Sequence, residues 1–234
     1  MTTIADRLDA LTQELAQTAA AAGRDPEALT LIAVSKRHGE EAIRAAAAAG
    51  QRDFGENYLQ EALVKIEALA DLELCWHFIG RIQSNKTQPI ARHFDWVHTV
   101  DRLKIAERLA RARREHSTQP LNLCLQVNID ADPNKAGVSP SELPALATGV
   151  NALDGVTARG LMTILDPDAD PATSFSALHA LYEKHRDAYG WDTLSMGMSG
   201  DYPAAIAAGA TQLRIGTAIF GPRPAAPITT ETTA

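Results

Sequence analysis

The 234-residue chain is poor in cysteine and aromatic residues and contains no long hydrophobic run. Cys75 and Cys124 each lie inside an apolar segment, which favours small buried thiols in a reduced compartment over a disulfide. No window approaches about 18 uninterrupted apolar residues, and the N-terminus lacks a charged region followed by an apolar core. These absences predict a cytoplasmic protein with neither a membrane span nor a secretory signal.

The chain also lacks an excess of basic residues. It has 22 Lys and Arg against 29 Asp and Glu, a formal net charge of -7. Nucleic acids and anionic membranes bind positively charged protein surfaces. The excess of acidic residues therefore argues against both as partners. The seven histidines show no convincing ligand spacing, and no metal site is predicted.

What the sequence does contain is a regular alternation of helical and strand-like segments after a first helix over residues 4–22. Eight strands alternating with helices through short connections favour a closed parallel barrel over an open sheet. The predicted strands span residues 29–35, 53–54, 75–79, 95–99, 121–129, 156–164, 193–197 and 212–215.

The predicted fold is therefore α/β, a single (β/α)₈ TIM-type barrel with an extra N-terminal helix. We expect this domain to occupy residues 1–222. Residues 223–234 are rich in proline and threonine, and we expect them to form a disordered tail.

Lys36 directly follows the first predicted strand. The carboxyl ends of barrel strands meet at one mouth, where the chemistry of such proteins is done. A lysine there can form an imine with a carbonyl compound, although a strand-end lysine is often only a solvated charge.

The loops after strands seven and eight combine glycines with hydroxyl groups, in Ser199-Gly200 and Gly216-Thr217. This is the usual phosphate site of such a barrel, although single glycines also serve simply to make tight turns. A lysine opposite a phosphate site suits a phosphorylated sugar aldehyde or ketone, or pyridoxal 5′-phosphate (PLP). Composition does not choose between these ligands.

Seven short segments in order along residues 4–222 resemble the pyridoxal phosphate homeostasis protein family, whose barrel is like the N-terminal domain of alanine racemase. The segments are residues 33–36 (AVSK), 54–58 (FGENY), 76–80 (WHFIG), 83–86 (QSNK), 159–162 (RGLM), 195–199 (SMGMS) and 214–221 (RIGTAIFG). The resemblance implies PLP as the cofactor.

The resemblance also implies roles for individual residues. Lys36 matches the lysine that forms the Schiff base, and Arg214 the arginine facing the pyridine nitrogen. The segment Arg37-His38-Gly39 departs from the threonine- and proline-containing stretch common in the family, which leaves the local loop shape open. The implied cofactor-binding residues are Lys36, Asn57, Ser199, Gly200, Arg214, Gly216 and Thr217. 

The implied function is to hold PLP as a Schiff base and to buffer or deliver it inside the cell without strong catalytic turnover. We expect a monomer, with PLP-dependent apo-enzymes as candidate recipients. A protonated Arg214 beside the pyridine nitrogen makes the ring a weak electron sink, which disfavours carbanion chemistry. The alternative is an amino-acid racemase, whose second proton donor would have to be Tyr58 or Tyr202; a phosphosugar aldolase is a third class. His77 is interpreted as a packed or hydrogen-bonded core histidine.

Overall fold

The computed structural model of the chain describes residues 2–222. Within them, eight parallel strands close into a barrel in sequence order, and the last strand pairs with the first. This confirms the predicted (β/α)₈ barrel. The strands are β1 (Thr30–Val34), β2 (Asp53–Glu56), β3 (Cys75–Phe78), β4 (Trp96–Val100), β5 (Leu121–Gln126), β6 (Val156–Met162), β7 (Thr193–Ser195) and β8 (Gln212–Ile215).

Helices alternate with the strands and cover the outside of the barrel. Single 3₁₀ turns at Pro26–Ala28 and Ser84–Lys86 complete the regular structure. Across residues 2–222, no helix combines the length and apolar character needed to cross a bilayer. The helices are α1 (Ile4–Ala21), α2 (Glu40–Ala48), α3 (Leu59–Ala68), α4 (Thr87–His93), α5 (Leu103–His116), α6 (Leu143–Asn151), α7 (Pro171–Tyr189), α8 (Tyr202–Ala207) and α9 (Thr217–Phe220).

The extra N-terminal helix α1 is fixed at its start and along one face. Thr3 and Asp6 form a reciprocal capping box, which satisfies backbone N–H groups that the first turn leaves unpaired. Its apolar stripe, which includes Leu8 and Leu11, is buried. Arg7 Nε donates a 2.7 Å hydrogen bond to the Ile219 carbonyl of α9, so α1 anchors the segment that follows β8.

Some strand ends differ from those that the sequence predicts. β5 stops at Gln126 rather than at residue 129, because the chain then turns back to form an isolated bridge between Val127 and Val138. β2 extends through Glu56, a residue that the sequence pattern assigns to a loop. The side chain of Glu56 is consequently buried beside the barrel instead of lying in solvent.

The buried apolar side chains of α1, of the strands and of the outer helices form one continuous cluster within residues 2–222. The assignment of residues 1–222 to one domain stays a prediction. The tail expected over residues 223–234 lies outside the described residues.

Candidate functional site

A cavity of about 300 Å³ opens at the carboxyl ends of the strands. This volume is at the lower end of the range typical of small-molecule sites. Apolar side chains from β1 and from the loops after β3, β6 and β7 complete the wall. The cavity brings together all seven residues predicted to bind the cofactor: Lys36, Asn57, Ser199, Gly200, Arg214, Gly216 and Thr217.

Lys36 stands two residues beyond the end of β1, partly buried at the edge of the cavity. The residues on either side of Lys36 are hydrogen-bonded to glutamates of β2 and α3. Ser35 Oγ donates a 2.7 Å hydrogen bond to Glu56 Oε1, and the backbone N–H of Arg37 donates one of 2.5 Å to Glu61 Oε1. Arg37 adopts a left-handed conformation with φ of 65°, which is uncommon outside glycine. The loop that carries Lys36 is thus clamped to β2 and α3.

The clamp centres on a buried ammonium group. Lys65 Nζ lies 2.6 Å from Glu56 Oε1 and 2.5 Å from Glu61 Oε1, and it donates a 2.9 Å hydrogen bond to the Ser35 carbonyl. Burial raises the pKa of Glu56, and its second oxygen, Oε2, has no hydrogen-bond partner within residues 2–222. One ammonium group is thus shared by two carboxyl groups, and we call Glu56, Glu61 and Lys65 the Lys65 clamp.

The Lys65 clamp was not predicted from the sequence. Glu61 and Lys65 stand four residues apart on α3, the spacing of a helical ion pair, and that signal was available. Glu56 gave no comparable signal, because its place inside the barrel wall depends on how far β2 extends.

The side of the cavity formed by the loops after β7 and β8 is lined by backbone and hydroxyl groups. Met198 N donates a 2.5 Å hydrogen bond to Asp201 Oδ1, which closes a tight turn around Ser199 and Gly200. No hydrogen bond within residues 2–222 uses the backbone N–H of Ser199 or Gly200. These donors, together with the hydroxyl groups of Ser199 and Thr217, suit an anion.

Gly216 allows β8 to end close against β1. A Cβ atom at this position would lie 2.9 Å from the Val34 carbonyl oxygen, closer than side-chain carbons approach backbone. The close approach brings the Gly216-Thr217 backbone next to the strand that leads to Lys36. The pairing of β1 with β8 therefore fixes the position of the Gly216-Thr217 backbone relative to the strand that precedes Lys36.

Arg214 forms part of the floor of the cavity, and its side chain is almost fully buried. Its Nη1 donates a 2.8 Å hydrogen bond to Ser195 Oγ, and its Nη2 donates one of 2.8 Å to the Thr163 carbonyl. Burial lowers the pKa of Arg214 to about 10, so the guanidinium stays protonated at neutral pH. A fixed, charged N–H donor therefore faces the cavity from below.

Arg214 is one end of a hydrogen-bonded row that crosses the barrel interior. Ser195 Oγ lies 2.8 Å from His98 Nδ1, His98 Nε2 lies 2.9 Å from His77 Nδ1, and His77 Nε2 lies 2.9 Å from Asp53 Oδ1. We call these five residues the core relay. Because a guanidinium only donates and a carboxylate accepts, the proton of each imidazole is assigned to Nε2.

His98, the middle residue of the core relay, carries no charge. Burial holds the pKa of His98 well below its ordinary value, with the neighbouring His77 as a smaller cause, so His98 is neutral at pH 7. His77 is fully buried and hydrogen-bonded through both ring nitrogens. This confirms its interpretation as a core histidine. The relay itself was missed, because its members come from five different strands.

Asn57 presents an unsatisfied group at the cavity. Its side chain is half-buried, and Oδ1 has no hydrogen-bond partner within residues 2–222. Buried polar atoms are nearly always paired in folded proteins, so an unpaired one at a cavity wall points to a ligand.

The two tyrosines considered as racemase proton donors do not line the cavity. Tyr202 donates its hydroxyl to Glu14 Oε1 on α1, and burial together with this carboxylate raises its pKa to about 12. Tyr58, which directly precedes α3, is 49% exposed. Among the described residues, the cavity wall contains no tyrosine.

Comparison with known proteins agrees with this geometry. The model of the family described as alanine racemase, N-terminal domain, matches residues 7–224. A pyridoxal phosphate homeostasis protein of Pseudomonas aeruginosa is 55% identical over 224 residues, which cover 95% of this chain and 97% of that protein. The chain belongs to the pyridoxal phosphate homeostasis protein family. A member of this family from Escherichia coli K12 is 44% identical, covering 95% of this chain and 98% of that protein.

Solved structures of the family extend the match to three dimensions. PipY of Synechococcus elongatus, determined without PLP, is 42% identical with a TM-score of 0.85, covering 94% of this chain and all of that one. A second structure of PipY has PLP bound and aligns at 40% identity with a TM-score of 0.82, with the same coverage of both chains. Alanine racemase of Corynebacterium glutamicum, at 19% identity and a TM-score of 0.63, shares the fold, and the match covers 62% of that longer chain.

Proposed function

We propose that this chain binds PLP reversibly as a Schiff base on Lys36 and takes part in intracellular PLP homeostasis by buffering or delivering the cofactor. The observation that carries the proposal is a cavity lined both by Lys36 and by the Ser199-Gly200 and Gly216-Thr217 loops. The names of the homeostasis relatives and the PLP-bound PipY structure support the choice of cofactor.

The residues of the cavity fit this cofactor. A phosphate group accepts hydrogen bonds from the backbone N–H groups of Ser199 and Gly200, which have no other acceptor within residues 2–222. The side-chain amide of Asn57 offers a further polar contact in the wall. The buried N–H groups of Arg214 suit the pyridine nitrogen, which accepts a hydrogen bond only when unprotonated.

Binding on Lys36 needs no oxidant or further reactant. The amine nitrogen attacks the aldehyde carbon of the cofactor, a carbon–nitrogen double bond forms, and water leaves. The Lys65 clamp holds the backbone on both sides of Lys36, which keeps the amine near the cavity wall. When bound, the cofactor supplies an electron-accepting ring, and Arg214 weakens that property by leaving the pyridine nitrogen unprotonated.

The proposed role is non-catalytic. Racemisation needs a proton donor on each face of the substrate carbon, and the described cavity wall has no tyrosine to serve opposite Lys36. We propose that the protein acts as a cytoplasmic monomer and that PLP-dependent apo-enzymes receive the cofactor. Incubation of free amino acids with the PLP-loaded protein in deuterated water is expected to give no exchange of the α-proton beyond free PLP; rapid exchange would favour the racemase.

The Schiff base is tested by absorbance and chemical trapping. The protein reconstituted with PLP is expected to show the visible band of a protonated imine, and borohydride should bleach it and fix the cofactor to the peptide that contains Lys36. Lys36→Ala is expected to lose both the band and the covalent adduct. Lys104→Ala, on the exposed face of α5, is the matched control and should retain both. A wild-type protein that stays colourless after reconstitution would overturn the proposal.

A further inference from the structure

Three potential metal ligands meet at the amino end of the barrel, opposite the cavity. Asp53 begins β2 and Cys75 begins β3, and the strand register pairs these two residues directly. His77 lies two residues beyond Cys75, so both side chains point to the same face of β3, toward the barrel interior. We call Asp53, Cys75 and His77 the base cluster.

The distances within the base cluster match those around a small tetrahedral ion. His77 Nε2 lies 2.9 Å from Asp53 Oδ1 and 3.4 Å from Cys75 Sγ, and all three donor atoms lie within 4.8 Å of one another. Zinc bonds of about 2.0–2.3 Å place neighbouring ligand atoms of a tetrahedral site roughly 3.3–3.6 Å apart. The two separations that involve His77 Nε2 lie within about half an ångström of this spacing.

We propose that the base cluster binds a divalent transition-metal ion of the zinc class through Asp53 Oδ1, Cys75 Sγ and His77 Nε2, with water as the fourth ligand. On binding, the S–H bond of Cys75 breaks, its proton passes to solvent and a sulfur–metal bond forms, with no change in oxidation state. The carboxylate and the resulting thiolate together neutralise the two positive charges of the ion.

The surroundings of the base cluster favour a cation. Asp95, just before β4, accepts a 2.8 Å hydrogen bond from the backbone N–H of Trp76, so a second carboxylate lies beside the strand that carries Cys75 and His77. Asp53 and Cys75 are only partly buried, which leaves a route from solvent to the donor atoms.

The core relay holds the imidazole ligand in place. His77 Nδ1 lies 2.9 Å from His98 Nε2, and the Trp96 ring stacks on His77 at 5.7 Å between centroids. A metal on Nε2 requires the His77 proton on Nδ1, from which it is donated to His98 Nε2, while the His98 proton moves to Nδ1 facing Ser195. The number of protons on the two imidazoles stays the same, while Ser195 Oγ changes from donor to acceptor toward His98 and its hydroxyl hydrogen turns away from that ring. Such hydrogen bonding of the second ring nitrogen is typical of metal-bound histidine.

This proposal departs from the absence of metal sites predicted from sequence. Cys75 and His77 stand two residues apart on one strand, but the third ligand comes from another strand, 22 residues before Cys75. Only the register of β2 against β3 brings Asp53 to them. Spacing along the chain is therefore a poor guide to this site.

Cobalt(II) titration of the purified full-length protein tests the proposal. We expect one equivalent to give the visible d–d bands of a tetrahedral site and a sulfur-to-cobalt charge-transfer band, with zinc displacing the cobalt. Cys75→Ser should lose the charge-transfer band and weaken binding by at least about tenfold. Cys124→Ser is the matched control, since Cys124 is fully buried on β5 outside the cluster, and it should titrate like the wild type.

A second measurement on the wild type keeps the proposal testable if Cys75→Ser fails to fold. Zinc is expected to slow alkylation of Cys75 in the folded protein, with Cys124 reacting only after unfolding as an internal reference. The proposal is overturned if cobalt and zinc do not bind saturably, if folded Cys75→Ser binds them as the wild type does, or if zinc leaves the alkylation rate unchanged. None of these readouts depends on PLP.

Discussion

Arg214 Nη1 donates a 2.8 Å hydrogen bond to Ser195 Oγ, and this contact joins the floor of the cavity to the core relay. The guanidinium has no carboxylate among its hydrogen-bond partners within residues 2–222. Its position therefore depends on two neutral acceptors, a hydroxyl and a backbone carbonyl. Removing the hydroxyl is the mildest way to disturb Arg214 without changing its charge.

Ser195→Ala is expected to weaken both folding and cofactor binding. The substitution leaves Arg214 Nη1 and His98 Nδ1 without their buried partner, which lowers the free energy of unfolding by about 1–3 kcal/mol. We expect a several-fold higher dissociation constant for PLP and a shifted absorption band, because Arg214 is less firmly held. Urea unfolding and absorbance titration measure these effects, and Ser84→Ala on the exposed surface is the control. Unchanged affinity and spectrum would show that Ser195 does not position Arg214.

Gly216→Ala and Gly200→Ala form a matched pair at the proposed phosphate end. A Cβ at Gly216 would lie 2.9 Å from the Val34 carbonyl, whereas one at Gly200 would meet no atom within 4 Å. We expect Gly216→Ala to lower the free energy of unfolding by about 1–3 kcal/mol through overpacking, and to weaken PLP binding. Gly200→Ala should leave stability unchanged. Equal stability of the two variants in thermal unfolding would contradict the close approach of β8 to β1.

Glu56→Gln is expected to change how stability depends on pH. Burial raises the pKa of Glu56, so the folded state holds this proton more tightly than the unfolded state. The contribution of Glu56 is therefore fully present below the ordinary glutamate pKa of about 4.3, and is lost as pH rises through the raised value. The unfolding free energy of the wild type relative to Glu56→Gln should fall over this interval.

Urea unfolding at several pH values measures that difference, with Glu73→Gln at an exposed position as the control. A difference that grows as pH rises would indicate a lowered pKa. In that case the attraction of Lys65 would outweigh the burial of the Glu56 carboxylate.

The barrel and the residues that line its cavity could be predicted from the sequence for two reasons. Hydrophobic periodicity is a local property, and it identified the eight strands and the first helix. Once a parallel barrel is inferred, the residues after each strand must converge on one mouth, which is why Lys36 and the glycine loops after β7 and β8 were expected together. The roles of these residues toward PLP came from family resemblance and stay predictions.

Side-chain partnerships inside the barrel were less accessible. Lys65 could be paired with Glu61 from helical spacing, but its contact with Glu56 requires β2 to run one pair of residues further than its hydrophobic pattern indicates. His77 and His98 each occupy an unremarkable strand position. Their contact follows from the register of β3 on β4, for which the sequence carries no short-range signal.

The sequence by itself determined the order of the strands, the mouth at which Lys36 lies and the family to which the chain belongs, because each depends on local pattern or on motifs. Only the tertiary structure decided that Arg214 connects through Ser195 and two histidines to Asp53, and that Asp53 meets Cys75 and His77 at the opposite end. These contacts join strands distant along the chain, and barrel closure with its strand register sets which side chains face one another.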